Sequence, residues 1–264
     1  MVTALLCVAA ASAATAALTM TVTAWTARRA GRVSVVDTAW GIALTLVALV
    51  SAVVGTVLDE GDGVRRWVLL ALVAIWGLRL SWHMHERNSG KGEDPRYAEM
   101  LEGTTAAQRV LKVWVMQGAA VLLVSLPVQV AAVADGALGW VAWAGSAVWV
   151  VGAAFEAIGD AQLARFKADP ANRGRIMDRG LWSWTRHPNY FGDACVWWGI
   201  WLVSVTSWWS LLTLPAPVTM TYFLVFATGA KLLERHMAGR PGWDEYAART
   251  SMFLPLPPRS TEES

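Results

Sequence analysis

The stretch RHPNYFGD, residues 186–193, sets an Arg, a His, an Asn, a Tyr and an Asp at the mouth of a run of tryptophans and aliphatic residues. Asn189 and Asp193 are four apart, so a helix starting here carries both on one face. Upstream, Glu156 and Asp160 share that spacing, with Gln162, Arg165 and Lys167 beyond them. Downstream, Lys231, Glu234, Arg235 and His236 close another apolar run. Carboxylates and carboxamides hydrogen-bond polar groups, and cationic side chains attract phosphate. Three apolar segments thus bring to one level what a phosphate-bearing molecule half-buried at a membrane would need. A structural alternative stands beside this: Asn189 and Asp193 cap a helix start and complement its dipole.

The elements that position these groups are membrane helices. Hydrophobic residues make up 55% of the 264-residue chain and mean hydropathy is +0.40, far more apolar than one soluble core requires. At about 20 apolar residues per span, the sequence predicts an all-α, polytopic integral membrane protein of about seven transmembrane helices. These fall near residues 4–25, 36–57, 67–85, 111–134, 139–159, 190–206 and 209–232. Arg28, Arg29 and Arg32 follow the first span, Arg87, Lys91 and Arg96 the third, and Arg165, Lys167, Arg173, Arg175, Arg179 and Arg186 the fifth. On the opposite side Arg65 and Arg66 are offset by Asp59, Glu60 and Asp62. The positive-inside rule therefore places the N-terminus outside and the C-terminus in the cytoplasm.

Arg28 and Arg29 come after the first apolar run, where a cleaved signal peptide carries its charge before it, so a retained helix is expected. Cys7 and Cys195 fall near opposite membrane faces in this topology and are not expected to pair. Residues 1–258 read as one transmembrane domain whose cofactor-binding half is about 139–258, and 259–264 as a disordered tail. There is no GxGxxG and no P-loop, so any dinucleotide site must be built from helices and loops. His83 and His85 are two apart and point to different sides of a helix, which argues against a metal. The segment 239–253, with Trp243, Tyr246 and Phe253 among charges, predicts an amphipathic helix on the cytoplasmic face. Arg87, Lys91 and Arg96 could clamp phosphates, or serve as a basic loop that meets anionic lipid.

The blocks VVDTAWG (35–41), WGLRLSWHMHERNSGKGEDPRY (76–97), EAIGDAQLARFK (156–167), GLWSWTRHPNYFGD (180–193) and RPGWDEYAARTSMFLPLPP (240–258) together resemble the steroid 5-alpha-reductase-like family, in its bacterial branch DUF1295. The resemblance runs from about Asp37 to about Pro258 with the blocks in order. It implies a seven-helix membrane reductase, in a bacterial inner membrane with its active site facing the cytoplasm. Such an enzyme transfers a hydride from NADPH to a carbon–carbon double bond conjugated to a ketone. That chemistry leaves negative charge on the ketone oxygen and so requires a waiting donor. Asp37 is placed like the family's polarising acid, with Tyr97 as a second candidate; the alternative for Asp37 is a helix-capping residue. Carried over residue by residue, Glu156, Asp160, Arg165, Arg186, His187, Asn189, Tyr190, Asp193, Lys231, Arg235 and Tyr246 are the cofactor-binding candidates. Lys231 stands where steroid reductases carry an Arg, which loses the bidentate fork.

Isoprenylcysteine carboxyl methyltransferases also carry an RHPxY motif entering a membrane helix, where it helps bind S-adenosylmethionine. RHPNY alone would fit either class; the FGD that follows it, the Glu156/Asp160 pair and the GKGEDPRY and VDTAWG blocks favour the reductase. A third possibility is a scaffold whose polar groups only cap helices. The expected partners are a lipophilic small molecule and the bilayer, not nucleic acid. The substrate's identity and the oligomeric state stay open.

Overall fold

The computed structural model describes residues 1–227 and 229–259. The protein is a helical, polytopic membrane protein whose chain forms two compact units, Met1–Trp143 with Ile200–Ala216 and Ala144–Gly199 with Pro217–Ser264. Among the described residues six helical stretches are long and apolar enough to cross a membrane: Val2–Ala30, Val35–Val57, Gly63–Asn88, Ala106–Val124, Trp140–Ala168 and Trp208–Met237. The seventh expected span lies on Pro188–Ser204, a helix of 17 residues. At 1.5 Å per residue such a helix is about 26 Å long, short of the roughly 30 Å hydrocarbon core.

The first unit begins with α1 (Val2–Ala30), α2 (Val35–Val57) and α3 (Gly63–Asn88), with α2 packed against the other two. On α1 the buried residues Ala4, Val8, Ser12, Ala16 and Met20 recur every fourth position, while Leu6, Leu18 and Val22 are exposed. In lipid an exposed leucine costs nothing, so a stripe of small residues that lets backbones approach selects the packed face. The Ser12 and Ser51 hydroxyls meet there at 3.3 Å. Between α2 and α3 the approach is closer still. A Cβ added at Gly41 would lie 2.1 Å from the Gly77 carbonyl oxygen, and one at Gly77 would lie 2.6 Å from that of Gly41. The chain leaves α1 through Gly31, whose φ of 67° gives the left-handed cap that suits glycine.

Arg65 and Arg66, whose charge the neighbouring acids offset, also bind the backbone. Arg65 is 1% exposed and donates to the carbonyls of Gly136, Ala137, Val203 and Val205. Arg66 donates to those of Glu60 and Gly61, while Asp62 caps α3 by accepting from the Arg65 N–H at 2.7 Å. Carbonyls at helix ends lack intrahelical donors, and these guanidinium groups supply them.

After α3 come the short α4 (Pro95–Leu101) and α5 (Ala106–Arg109), a π-turn over Val110–Val115, α6 (Met116–Val124) and α7 (Leu126–Ala131). The expected span 111–134 is thus broken near Pro127, which has no N–H to continue the ladder. Gln129 bridges the break, donating to the Leu122 carbonyl at 3.1 Å and to the Ser125 hydroxyl at 2.8 Å.

The second unit takes α8 (Trp140–Ala168) from Ala144, α9 (Pro188–Ser204) up to Gly199 and α10 (Pro215–Tyr222) from Pro217, with α11 (Ala230–Met237), α12 (Trp243–Arg249) and a second π-turn over Phe223–Ala227. Gly152 and Gly192 mark the crossing of α8 and α9: a Cβ at Gly152 would fall 2.6 Å from the Gly192 oxygen, and one at Gly192 2.5 Å from the Glu156 nitrogen. The predicted amphipathic helix over 239–253 is reduced to the seven residues of α12, and its aromatic side is turned inward, with Trp243 and Tyr246 buried. The reason is polar as well as apolar: the Tyr246 hydroxyl donates to the Trp182 carbonyl at 2.6 Å, a bond that lipid could not offer. Both cysteines are free.

Candidate active site

Every residue of the block EDPRY, 93–97, has a position that its chemistry explains. Asp94 is the N-cap of α4, accepting from the Arg96 N–H at 2.9 Å, and Pro95 follows at the first helical position, where its missing N–H costs nothing. Glu93 reaches the start of α2 and accepts from the backbone N–H groups of Val33 and Ser34. A helix N-terminus has unpaired donors and positive potential, so this carboxylate docks α4 onto it. Asp37, one turn into α2, then meets both following side chains. The Tyr97 hydroxyl donates to its Oδ1 at 2.6 Å, and Arg96 Nη2 donates to its Oδ2 at 3.3 Å and to Asp94 Oδ2 at 2.9 Å. Glu93 binds the N–H groups just ahead of α2, and Asp37, with helix capping as its alternative role, is the acidic residue in the first turn of that helix.

This cluster sets protonation as well as position. Burial, and then the Asp37 carboxyl beside it, pushes the Tyr97 phenol well above the usual tyrosine range, so it keeps its proton across physiological pH. The Arg96 hydrogen bond holds the Asp94 carboxyl below the usual carboxylate range, and the same bond raises Arg96. The arrangement is a phenol–carboxyl hydrogen bond braced by a cation. Tyr97 also lines a cleft of about 590 Å³ between the end of α1, α4 and the π-turn at Val110–Val115.

All eleven cofactor-binding candidates fall in the second unit, in two groups. The first group holds the fold. Arg186 forms a bidentate pair with Glu234, Nε to Oε1 at 2.7 Å and Nη2 to Oε2 at 3.0 Å, while its Nη1 donates to the carbonyls of Ala247 and Thr250. Its backbone N–H donates to Ser251, beside the Thr185–Ser251 bridge that joins the C-terminal segment. His187, 5% exposed, lies 3.3 Å from Glu234 Oε1 and stacks on Tyr190. Tyr246 is bonded to Trp182, whose indole N–H donates to the Gly159 carbonyl at 3.0 Å. Glu156 and Asp193 are buried at the α8/α9 crossing.

The second group faces outward. Asn189 donates to Asp160 Oδ1 at 3.1 Å, a direct pairing of the carboxamide and carboxylate that the spacing had placed on separate helices. Arg165, Lys231 and Arg235 are exposed, with Lys231 4.4 Å from the Phe226 ring centroid and none of the three in an ion pair among the described residues. A dinucleotide asks for cations at its phosphates, a ribose acceptor and an amide, and side chains of these kinds are present here. Arg186 does not fit as a phosphate clamp, because Glu234 and two carbonyls already occupy its Nε, Nη1 and Nη2 groups.

Sequence reasoning did not assign Glu93 or Trp182 to the site, and it offered Arg96 only as a phosphate clamp and Glu234 only as one of a polar cluster. Asp94-Pro95 was a legible helix-start signal, and reading it as one would have put Arg96 and Tyr97 on the first turn of α4. Nothing in sequence tells that Glu234 pairs with Arg186, 48 residues away.

The chain matches no curated protein and no solved structure. A family model described as a protein of unknown function, DUF1295, matches residues 4–250. Since that match takes in nearly the whole chain, including both polar clusters, this membrane protein belongs to the DUF1295 family.

Proposed function

We propose that the protein is an NADPH-dependent reductase of a carbon–carbon double bond conjugated to a ketone, acting at the cytoplasmic membrane face on a lipophilic substrate, a 3-oxo-delta-4 steroid or a steroid-like lipid. The observation that carries it is the 2.6 Å hydrogen bond between Tyr97 and Asp37. Hydride addition at the beta carbon moves an electron pair onto the ketone oxygen, and a protonated phenol held in place lowers the cost of that charge. Tyr97 would turn its one O–H from Asp37 to that oxygen, Arg96 then holding the released carboxyl, and a proton from water would reach the alpha carbon to complete the reduction. A phenol backed by a carboxyl is the kind of pair that the resemblance to steroid 5-alpha-reductases leads one to look for.

Bound NADPH supplies the hydride. Asp160 and Asn189 would hold its ribose and carboxamide, and Arg165, Lys231 and Arg235 its phosphates, on the rigid frame that Arg186 and Glu234 maintain. Removing one such donor from a transition state costs about a hundredfold or more in turnover.

The test is ligand-induced thermal stabilisation of the detergent-purified protein with NADPH, NADH and S-adenosylmethionine, followed by enone reduction with the nucleotide that binds. Stabilisation by NADPH, weakened in Asn189→Ala, together with turnover that collapses in Asp37→Asn while NADPH still binds, is the expected pattern. Stabilisation by S-adenosylmethionine alone would move the second unit to methyl transfer and overturn the proposal.

A further inference from the structure

The first unit's cleft has a composition that enone reduction does not explain. Three arginines line it from two separate parts of the chain: Arg28 in the last turn of α1 and Arg32 just beyond it, and Arg109 at the end of α5. Arg28 has no ion pair or hydrogen bond among the described residues. Arg32 uses one nitrogen, Nη1, on the carbonyls of Asn88 and Lys91, and Arg109 uses only Nε, on the Thr104 hydroxyl at 3.3 Å. Two carboxylates share the lining, but they are not equivalent. Glu93 is committed to the backbone N–H groups of Val33, Ser34 and Asp94. Glu102 is exposed, which leaves three cations against one uncommitted acid.

Much of the remaining lining is apolar. Ala24, Ala27 and Ala98 leave the space open, and Leu101, Val110 and Trp114 make the wall apolar. Val110 and Trp114 come from the π-turn, the kind of local widening of a helix that recurs at functional sites. At about 590 Å³ the cleft falls in the range of small-molecule sites. Basic residues at a cytoplasmic helix end are ordinarily explained by membrane orientation alone. That explanation does not require them to converge on one walled cavity.

We infer that this cleft binds an amphiphile with an anionic head, a phosphate monoester or a carboxylate held at Arg28, Arg32 and Arg109, with its apolar tail along Ala27, Val110 and Trp114. Arginine suits such a head because its planar fork matches two oxygens at once. Tyr97 lines the same cleft, so a bound amphiphile would share the space of the proposed reaction site, although its binding needs neither NADPH nor turnover.

Isothermal titration of the full-length protein in a neutral maltoside detergent, with dodecyl phosphate, dodecanol and inorganic phosphate as probes, tests it. Saturable binding of dodecyl phosphate is expected, with dodecanol and inorganic phosphate each at least about tenfold weaker, since each lacks one half of the recognition. Arg28→Gln and Arg109→Gln should each weaken dodecyl phosphate about tenfold. Ala98→Trp should fill the cleft and abolish binding, and Glu102→Gln should tighten it. Arg173→Gln with Arg175→Gln, in the basic loop of the second unit, should change nothing. Equal weakening by that control pair would reduce the effect to general charge attraction and overturn the inference. So would dodecanol binding as well as dodecyl phosphate, or inorganic phosphate binding as well as either. Enone reduction without Arg28-dependent lipid binding would sink this site alone, and Arg28-dependent binding without reduction would sink the reductase alone.

Discussion

In the second unit Arg186 donates to Glu234 and to two backbone carbonyls, so its main hydrogen-bonding groups are occupied by the protein itself. In the first unit Arg28 and Arg109 line a cleft with most of their donors unused. Sequence gives these arginines the same standing, as basic residues at the mouths of membrane helices. Donor bookkeeping separates them. Where a guanidinium is satisfied by neighbours, it fixes the chain; where it is not and a cavity lies beside it, a ligand can complete it.

The largest test of that contrast is Arg186→Ala. It strands Glu234 and uncouples the C-terminal segment, which should destabilise the second unit by about 3–5 kcal/mol. The readout is faster alkylation of Cys195, half-buried on α9, as the unit opens. A variant as stable as the parent would break the contrast, placing Arg186 with the ligand-binding cations.

Tyr97→Phe should do the opposite: lose about a hundredfold in turnover, or about 2.7 kcal/mol of transition-state stabilisation, while changing melting by no more than about 1 kcal/mol. Collapse of the fold instead would make the Asp37–Tyr97 bond a structural tie like that of Arg186.

A frame-only change of middling size is Gly41→Ala. Its added methyl meets the Gly77 carbonyl oxygen at 2.1 Å, and forcing α2 from α3 should cost about 2 kcal/mol in thermal unfolding. Because α2 carries Asp37, turnover should fall with it, whereas ligand-induced stabilisation of the second unit should persist.

The smallest effect concerns acid. Asp94 is held below its usual range in the folded protein, so its stabilisation is present above the unfolded value of about pH 4 and is lost as pH falls through the lowered folded value. Partly exposed to solvent and screened, it should contribute no more than about 1 kcal/mol. Comparing unfolding of the parent and Asp94→Asn between neutral and acidic pH reads it directly. The difference should vanish at low pH, and a difference that grew there would reverse the sign.

The helical class was legible because apolar runs of about 20 residues have few other uses. Span count was less so. The 190–206 run and the helix it becomes, Pro188–Ser204, are of the same length, 17 residues, at the short end of what crosses a bilayer. The 111–134 run hid its break because Pro127 sits among residues as apolar as those around it. The inward turn of α12 was invisible for a related reason. A Trp and Tyr three apart look alike whether they face lipid or a neighbouring loop.

What the sequence determined by itself was therefore the solvent and the inventory: a chain made for a bilayer, carrying polar side chains at helix mouths in the order of one family. Periodicity and composition are local properties, and they survive without knowledge of the fold. Tertiary structure alone decided the pairings. Asp37 and Tyr97 are 60 residues apart, Asn189 and Asp160 are 29, and Arg186 and Glu234 are 48. Hydrogen bonds act over about 3 Å, so which donor finds which acceptor depends on how helices dock, and that is set by close approaches such as Gly41 on Gly77.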